Sequence, residues 1–283
     1  MQDYEITKDF KNQPKTKDYF FQSPTSPSFL YIRSTIKHVY GFQPTTHMKK
    51  TRNLFKKILR IFYWMLISSS IYLIICTWIM PPITITQIVQ GVQYGLKRDY
   101  VAYDKMSKHV KLAAIASEDQ AFTDHHGFDW EALRKSLDPQ KPSKKKKKLP
   151  RGAGASTISQ QVAKNVFLWQ GSGFTKYLRK IPEFWFTAWI ELVWGKERIL
   201  EVYLNCIEMG PGIFGIEAAA QHYFNKSAAK LTKQEAAQII ACLPNPKKYT
   251  VVPMSRFVGW KKNWILRQMN NLEDDPDIQE LIK

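Results

Sequence analysis

Cysteine is scarce in this chain, with three in 283 residues, so no disulfide framework holds the fold. Cys76 lies inside an apolar run. Cys206 and Cys242 are a pair that an oxidising compartment permits, but two buried thiols are the expected state. No Cys/His pair has metal-site spacing, and the adjacent His125 and His126 cannot both face one ion from a regular helix. A KTG triplet is absent, and the SxxK matches at Ser34, Ser143 and Ser227 stand alone, which excludes a transpeptidase domain. Acid is in short supply too: 42 Lys and Arg face 24 Asp and Glu, for a net charge of +18. The excess is spread out, with 12 bases against 4 acids in residues 1–60 and the remaining 30 against 20 in residues 81–283. Nucleic acid, anionic headgroups and a diphosphate would all be attracted, so charge does not choose among them. No internal repeat is visible.

Long apolar runs are missing everywhere but at Ile61 to Ile79, IFYWMLISSSIYLIICTWI, which carries no charge and matches the roughly 20 residues needed to cross a bilayer core as a helix. Lys49, Lys50, Arg52, Lys56, Lys57 and Arg60 form a purely basic flank over 48–60, which keeps the N-terminal side in the cytoplasm by the positive-inside tendency. A cleaved signal peptide is the competing reading, but the run exceeds an ordinary h-region and Pro81-Pro82 offers no small-residue cleavage site. Residues 1–47 are Pro-interrupted, Lys-rich and without period. They are expected to be disordered, or to precede a biological start at Met48. Residues 80–99 read as a linker, 100–272 as the catalytic domain, and 273–283 as a C-terminal tail.

The outer domain reads as mainly α. Apolar residues recur at three and four spacing in several segments. A helix leads through Val110, Ala113 and Ala114 to Glu118, and Asp129 caps a short helix from Trp130 to Leu137. Further helices are expected at Thr157 to Leu168, Pro182 to Trp194, Lys196 to Asn205, Ile216 to Phe224 and Gln234 to Leu243. The run KPSKKKKK at 141–148 is the one low-complexity segment. It reads as a solvated loop, with capture of anionic lipid or diphosphate by Lys144 to Lys148 as the sharper alternative.

Three segments carry chemistry. Glu118 ends an apolar helix just before a turn, where partial burial suits a general base, although a helix-end Glu is more often structural. RGAGAST then places glycines and hydroxyls ahead of a helix start, a natural anion site, with Gln160, Gln161, Lys164 and Asn165 extending the polar face. Arg179, Lys180 and Glu183 follow, with Arg179 and Glu183 on one helical face. Taken alone, the second segment is equally an ordinary capped helix, and the third is more often a surface ion pair.

In order, EDQAFTDHHG (118–127), GASTISQQVAKN (154–165), RKIPE (179–183), RILEVYLN (198–205) and GIEAAAQHYFNK (215–226), followed by LPNPKKY (243–249), resemble the family 51 glycosyltransferases. That family is the peptidoglycan glycosyltransferase module of class A penicillin-binding proteins, here in monofunctional form. The resemblance implies a lysozyme-like, mainly α domain behind one N-terminal transmembrane helix, in the bacterial cytoplasmic (inner) membrane with the catalytic domain on the periplasmic side. It implies that Glu118 deprotonates the 4-hydroxyl of the lipid II acceptor, that Glu183 assists at the leaving diphosphate, and that Lys164, Arg179 and Lys180 hold that diphosphate. Ser156, Thr157, Gln160, Gln161 and Asn165 would line the cleft, with Asp119, Phe122 and His125 of the first block in the same substrate-binding set. No cofactor is required, and Mg2+ or Mn2+ beside the diphosphate near Glu183 is compatible with the family. The implied partners are lipid II, the lipid-linked glycan strand, the membrane, and proteins of cross-linking and of division or elongation; nucleic acid is not among them. Rival readings are a lytic, glycan-cleaving enzyme of the same fold and a non-catalytic wall scaffold. Two departures stand out: Pro182 inside RKIPE, which should start or kink a helix, and a long interval between Glu118 and Glu183. Nine aromatics between Phe167 and Trp194 suggest a lobe that leans into lipid, with Phe167 to Tyr177 expected to make the contact.

Overall fold

The computed structural model describes residues 46–131, 134, 156–171 and 173–283. Residues 1–45, the Lys144 to Lys148 run and most of the helix expected over Trp130 to Leu137 lie outside the described residues. The chain divides into two compact units, Met1–Trp64 and Met65–Lys283.

Helix α1, Thr46–Ile75, begins in the first unit, where the basic flank precedes exposed Phe55, Ile58 and Phe62. Lys50–Ile75 contains an 18-residue window of mean hydropathy 1.8 and is long enough to cross a membrane, so it is a candidate span. The hydroxyls of Ser68, Ser69 and Ser70 donate back to the carbonyls of Met65 or Leu66, which removes the polar cost of three serines in an apolar run. The helix stops four residues short of the expected Ile79, because Thr77 and Trp78 close tighter turns onto Ile74 and Ile75 before Pro81. In the second unit its terminal carbonyls meet side chains: Trp194 Nε1 donates to Leu73 O (3.0 Å), and Arg198 Nε and Nη2 donate to Cys76 O (3.1 and 2.8 Å). A helix end otherwise leaves such carbonyls without partners, and the cation also suits its negative pole.

Residues 80–99 are not a plain linker. They form helix α2, Ile85–Tyr94, and strand β1, Lys97–Arg98. Thr84 and Gln87 make a reciprocal capping box, and the buried face of α2 is polar (Thr86, Gln87, Gln90). An apolar period therefore misses it. Helix α3, Lys108–Glu118, is buried from Val110 to Ser117 and forms the axis of the domain. After it come α4, Ile158–Val162, running on into a π-helical turn at Ala163–Phe167; α5, Thr175–Leu178; α6, Lys180–Val193; and α7, Lys196–Cys206. Strands β2, Glu208–Gly210, and β3, Ile213–Phe214, complete a small sheet of order β1-β3-β2, parallel between β1 and β3 and antiparallel between β2 and β3. Helices α8, Ile216–Phe224, and α9, Lys233–Ile240, lead to α10, Arg256–Leu272, and α11, Pro276–Ile282. Helices α9 and α10 pack on α3 and on each other.

Pro182 sits in the first turn of α6, which begins after a break at Arg179, so its missing N–H costs only the link back to Leu178 and the proline falls at a helix start, as expected. The expected tail is also corrected. Ile278, Leu281 and Ile282 of α11 are buried, Tyr103 donates to Leu281 O (2.6 Å), and the buried Lys111 ammonium donates to the carbonyls of Ile282 and Lys283 while lying 3.7 Å over the Tyr103 ring. Acidic residues around Pro276 hide the apolar ones from a composition scan. Cys206 and Cys242 are free, buried thiols, each pushed up to about 12 by burial.

Candidate functional site

The turn after α3 and the start of α4 are tied together by named bonds. Asp119, the first residue out of α3, accepts from the Ile158 N–H (2.9 Å) at the head of α4 and from His125 Nε2 (3.0 Å). The Gly127 N–H donates to His125 Nδ1 (3.1 Å), which makes Nδ1 an acceptor and places the ring proton on Nε2, toward Asp119. Thr157 Oγ1 donates to Gly127 O (2.7 Å) while accepting from the Gln160 N–H, and Gln160 Oε1 accepts from the Thr157 N–H. Gly127 has φ +85°, and a Cβ there would stand 2.8 Å from Glu191 Cγ and 2.9 Å from Thr187 Cγ2. Only glycine fits both the backbone and the space. Lys196 closes the cluster, donating to His125 O (2.6 Å) and to Glu191 (3.0 Å) above the Phe122 ring.

Glu118 stands over this frame with 9% of its side chain exposed. Its Oε1 accepts from Ser117 Oγ (2.7 Å) and Lys261 Nζ (3.2 Å), and its Oε2 from Gln161 Nε2 (3.2 Å). Gln161 is itself oriented by Tyr203, whose hydroxyl donates to Gln161 Oε1 (3.3 Å). Burial, with the Glu118 and Asp119 carboxylates nearby, holds the Tyr203 phenol far above its ordinary range, so it remains a donor. The result is a carboxylate on a fixed amide, beside a cavity that the same amide lines.

That cavity, about 330 Å³, is bounded by Ser156, Gln160, Gln161, Lys164, Lys176, Arg179, Lys180 and Glu183. Four of the eight are cations. Arg179 and Glu183 are both buried and pair at 3.3 Å, an ion contact whose angle falls short of a hydrogen bond. Arg179 Nη1 donates to Trp169 O (2.9 Å), and the more exposed Lys180 donates to Glu183 Oε1 (2.5 Å). Lys164, on the π-helical turn, is pulled down from the ordinary lysine range by burial first and then by Arg179 and Lys180, against the pull of Glu183 and Glu118. π turns inside helices are frequent at functional sites. Such a pocket favours a compact, doubly charged anion beside a hydroxyl that must lose its proton.

Seven residues expected at the site therefore meet around one cavity: Ser156, Gln160, Gln161, Lys164, Arg179, Lys180 and Glu183, with Glu118 joined through Gln161. The others are placed differently. Thr157 and Asp119 are buried and hold the frame, His125 orients Asp119, Asn165 is buried and accepts from Gln170, and Phe122 is a fully buried core residue. Three residues not expected at the site belong here: Lys176 on the cavity wall, Tyr203 of the RILEVYLN block behind Gln161, and Lys261 on α10. Lys261 leaves a trace in the sequence, as a charge in the apolar stripe Val258, Ile265 and Met269. Among the aromatics expected at lipid, Phe167 stacks on Phe186 (4.7 Å, 8°) and packs against the core, while Trp169, Phe174 and Tyr177 are exposed, continuous in sequence with exposed Leu178, Ile181 and Phe184.

The donor set does not fit a protein-held divalent cation at Glu183. Among the described residues it is the only acid on the cavity wall, and both of its oxygens already face cations. No group of three His, Cys, Asp or Glu suited to a metal occurs among the described residues.

The family profile described as Transglycosylase matches residues 85–270. Proteins of the same kind in three bacteria are similar over most of their length. The biosynthetic peptidoglycan transglycosylase of Ectopseudomonas mendocina is 41% identical over 228 residues, 78% of this chain and 90% of the relative. The protein of that name in Pseudomonas aeruginosa is 39% identical over 234 residues, 79% and 96% of the two chains. That of Aeromonas hydrophila is 49% identical over 177 residues, 62% and 72%.

Proposed function

The chain belongs to the transglycosylase family, and from that premise we propose that it is a peptidoglycan glycosyltransferase that polymerises lipid II into glycan strands at a membrane. One observation carries the reading: Gln161 is hydrogen-bonded to Glu118 and also lines the cavity walled by Lys164, Lys176, Arg179 and Lys180. A proton acceptor and an anion holder thus share one side chain.

Glu118 takes the proton from the 4-hydroxyl of the lipid II acceptor sugar. As that bond breaks, the oxygen attacks C1 of the donor strand's terminal sugar from the face opposite the leaving group, and undecaprenyl diphosphate departs with the electron pair of the old glycosidic bond. The anomeric centre is inverted. The cations neutralise charge as it grows on the diphosphate, where a preformed wall costs no reorganisation during the reaction. Glu183 holds Arg179 and Lys180 in place through its two oxygens. No step passes through a metal ion.

The candidate span Lys50–Ile75 and the exposed apolar side chains of α5 and early α6 support membrane attachment, as a polyprenyl-linked substrate demands. We place the N-terminal side in the cytoplasm and the domain on the outer side of the inner membrane. Cross-linking enzymes are the natural consumers of the product. Polymerisation of purified lipid II by wild type, E118Q and E183Q tests the reading. Loss of at least ~100-fold in kcat is expected for E118Q and a smaller loss for E183Q. Wild-type polymerisation by E118Q, or release of anhydro-muropeptides from sacculi with no polymer from lipid II, refutes it.

A further inference from the structure

Lys261 is 0% exposed, and its ammonium lies 3.2 Å from Glu118 Oε1. A lysine rarely enters a core unless it is paired, because desolvating its charge costs several kcal/mol. Its neighbours on the same stripe of α10, Val258, Ile265 and Met269, are apolar and fully buried. The helix thus turns one charge into the domain, against the one carboxylate assigned to chemistry.

The hydrogen bonds around that carboxylate are unequal. Oε1 accepts two donors, Ser117 Oγ and Lys261 Nζ, whereas Oε2 accepts one, from Gln161. A carboxylate oxygen has about two lone-pair sites. Oε1 is filled by the protein, and Oε2, on the side of the cavity-lining Gln161, keeps a site free.

We propose that Lys261 is a positioning residue that pins Glu118 through Oε1, sets a positive charge against it, and leaves Oε2 as the oxygen that receives the acceptor proton. The inference rests on the polymerase reading and deepens it. Ser117 sets the carboxylate from its own helix, Lys261 from α10 and Gln161 from α4, so three elements fix one rotamer. The titratable groups around Glu118 are Lys261, Lys164 on the π-helical turn, Tyr203 on α7, Cys242 beyond α9 and the adjacent Asp119, which is bonded to His125 and the Ile158 N–H. Burial raises the phenol and the thiol, so both are neutral at working pH. The charges that bear on Glu118 are the two lysines and the neighbouring Asp119 carboxylate, and of these Lys261 is the one bonded to it among the described residues.

The test uses the full chain and lipid II, with kcat and KM followed from pH 4 to 9 for wild type, K261M, K261Q, K261R, E118Q and E118Q/K261M. Removing an adjacent positive charge makes the carboxylate harder to ionise. In K261M and K261Q the acid limb of kcat should therefore move to higher pH by about one unit or more, with kcat at neutral pH reduced about tenfold or more and KM little changed. K261R should restore the limb. E118Q/K261M should be no slower than E118Q, since a residue acting through Glu118 has nothing left to act on. A merely structural lysine would lower the melting temperature and the yield of folded enzyme without moving the limb. Unchanged kcat and pH profile in whichever of K261M and K261Q folds, with E118Q inactive, overturns the role of Lys261 and leaves the polymerase reading standing. An active E118Q overturns both.

Discussion

Lys164 shows how a single residue sets a pH limit. Burial and the neighbouring Arg179 lower its proton affinity, so its positive charge is lost as pH rises through a value below that of a free lysine. Anion binding that depends on it must then weaken at correspondingly lower pH. K164R, whose guanidinium stays charged, is expected to carry the alkaline rise in KM for lipid II to higher pH, while K164A raises KM about tenfold or more at neutral pH. Steady-state kinetics across pH 7 to 10 decide it, and identical alkaline limbs in wild type and K164R would count against the assignment. Much at this scale was readable in the sequence, since Glu118, Gln161, Lys164, Arg179, Lys180 and Glu183 lie in short blocks whose spacing places them. Lys261 was not, because its partner is 143 residues away and a lysine in an amphipathic helix ordinarily faces water. Thr157, Asp119 and His125 stood in the right blocks but hold the frame and do not line the cavity.

Helix α4 has five residues, too few to persist alone. Its capping box and the Asp119 bond to Ile158 supply what its length does not, and it carries Gln161 with Lys164 just beyond. Thr157→Ala removes one half of the box and the bond to Gly127 O. The expected cost is about 1 kcal/mol of stability, read as a lower denaturation midpoint, together with a drop in kcat that Thr157→Ser restores. An unchanged kcat in the alanine variant would mean that the rest of the frame positions Gln161 unaided. The sequence gives away α4 through its threonine and glutamine, and α6 to α9 through their apolar period. It hides α2, whose buried face is polar, and α10, whose buried stripe contains a charge. The two share one physical cause: both helices turn polar or charged side chains inward, Thr86, Gln87 and Gln90 on α2 and Lys261 on α10, and a hydropathy pattern assigns such residues to water.

At the scale of the whole molecule, the chain's last helix is a strut. Removing residues 274–283 takes three aliphatic side chains out of the core, about 5–9 kcal/mol at 1.5–3 kcal/mol each, and strips Lys111 of its carbonyl partners. Set against a total stability of about 5–15 kcal/mol, the truncated protein is expected to be unfolded or insoluble at 37 °C, which circular dichroism and a sedimentation assay would show. A soluble truncation with the wild-type melting temperature would contradict the packing. At the start of α7 and just before it, Trp194 and Arg198 grip the last carbonyls of α1, and between them Lys196 grips the turn that holds Asp119. Five residues of backbone thus serve as a bracket with a hand on each side. The last turn of the apolar helix and the turn beneath Glu118 are thereby moored to one short stretch of backbone, so neither can shift without straining bonds that also hold the other.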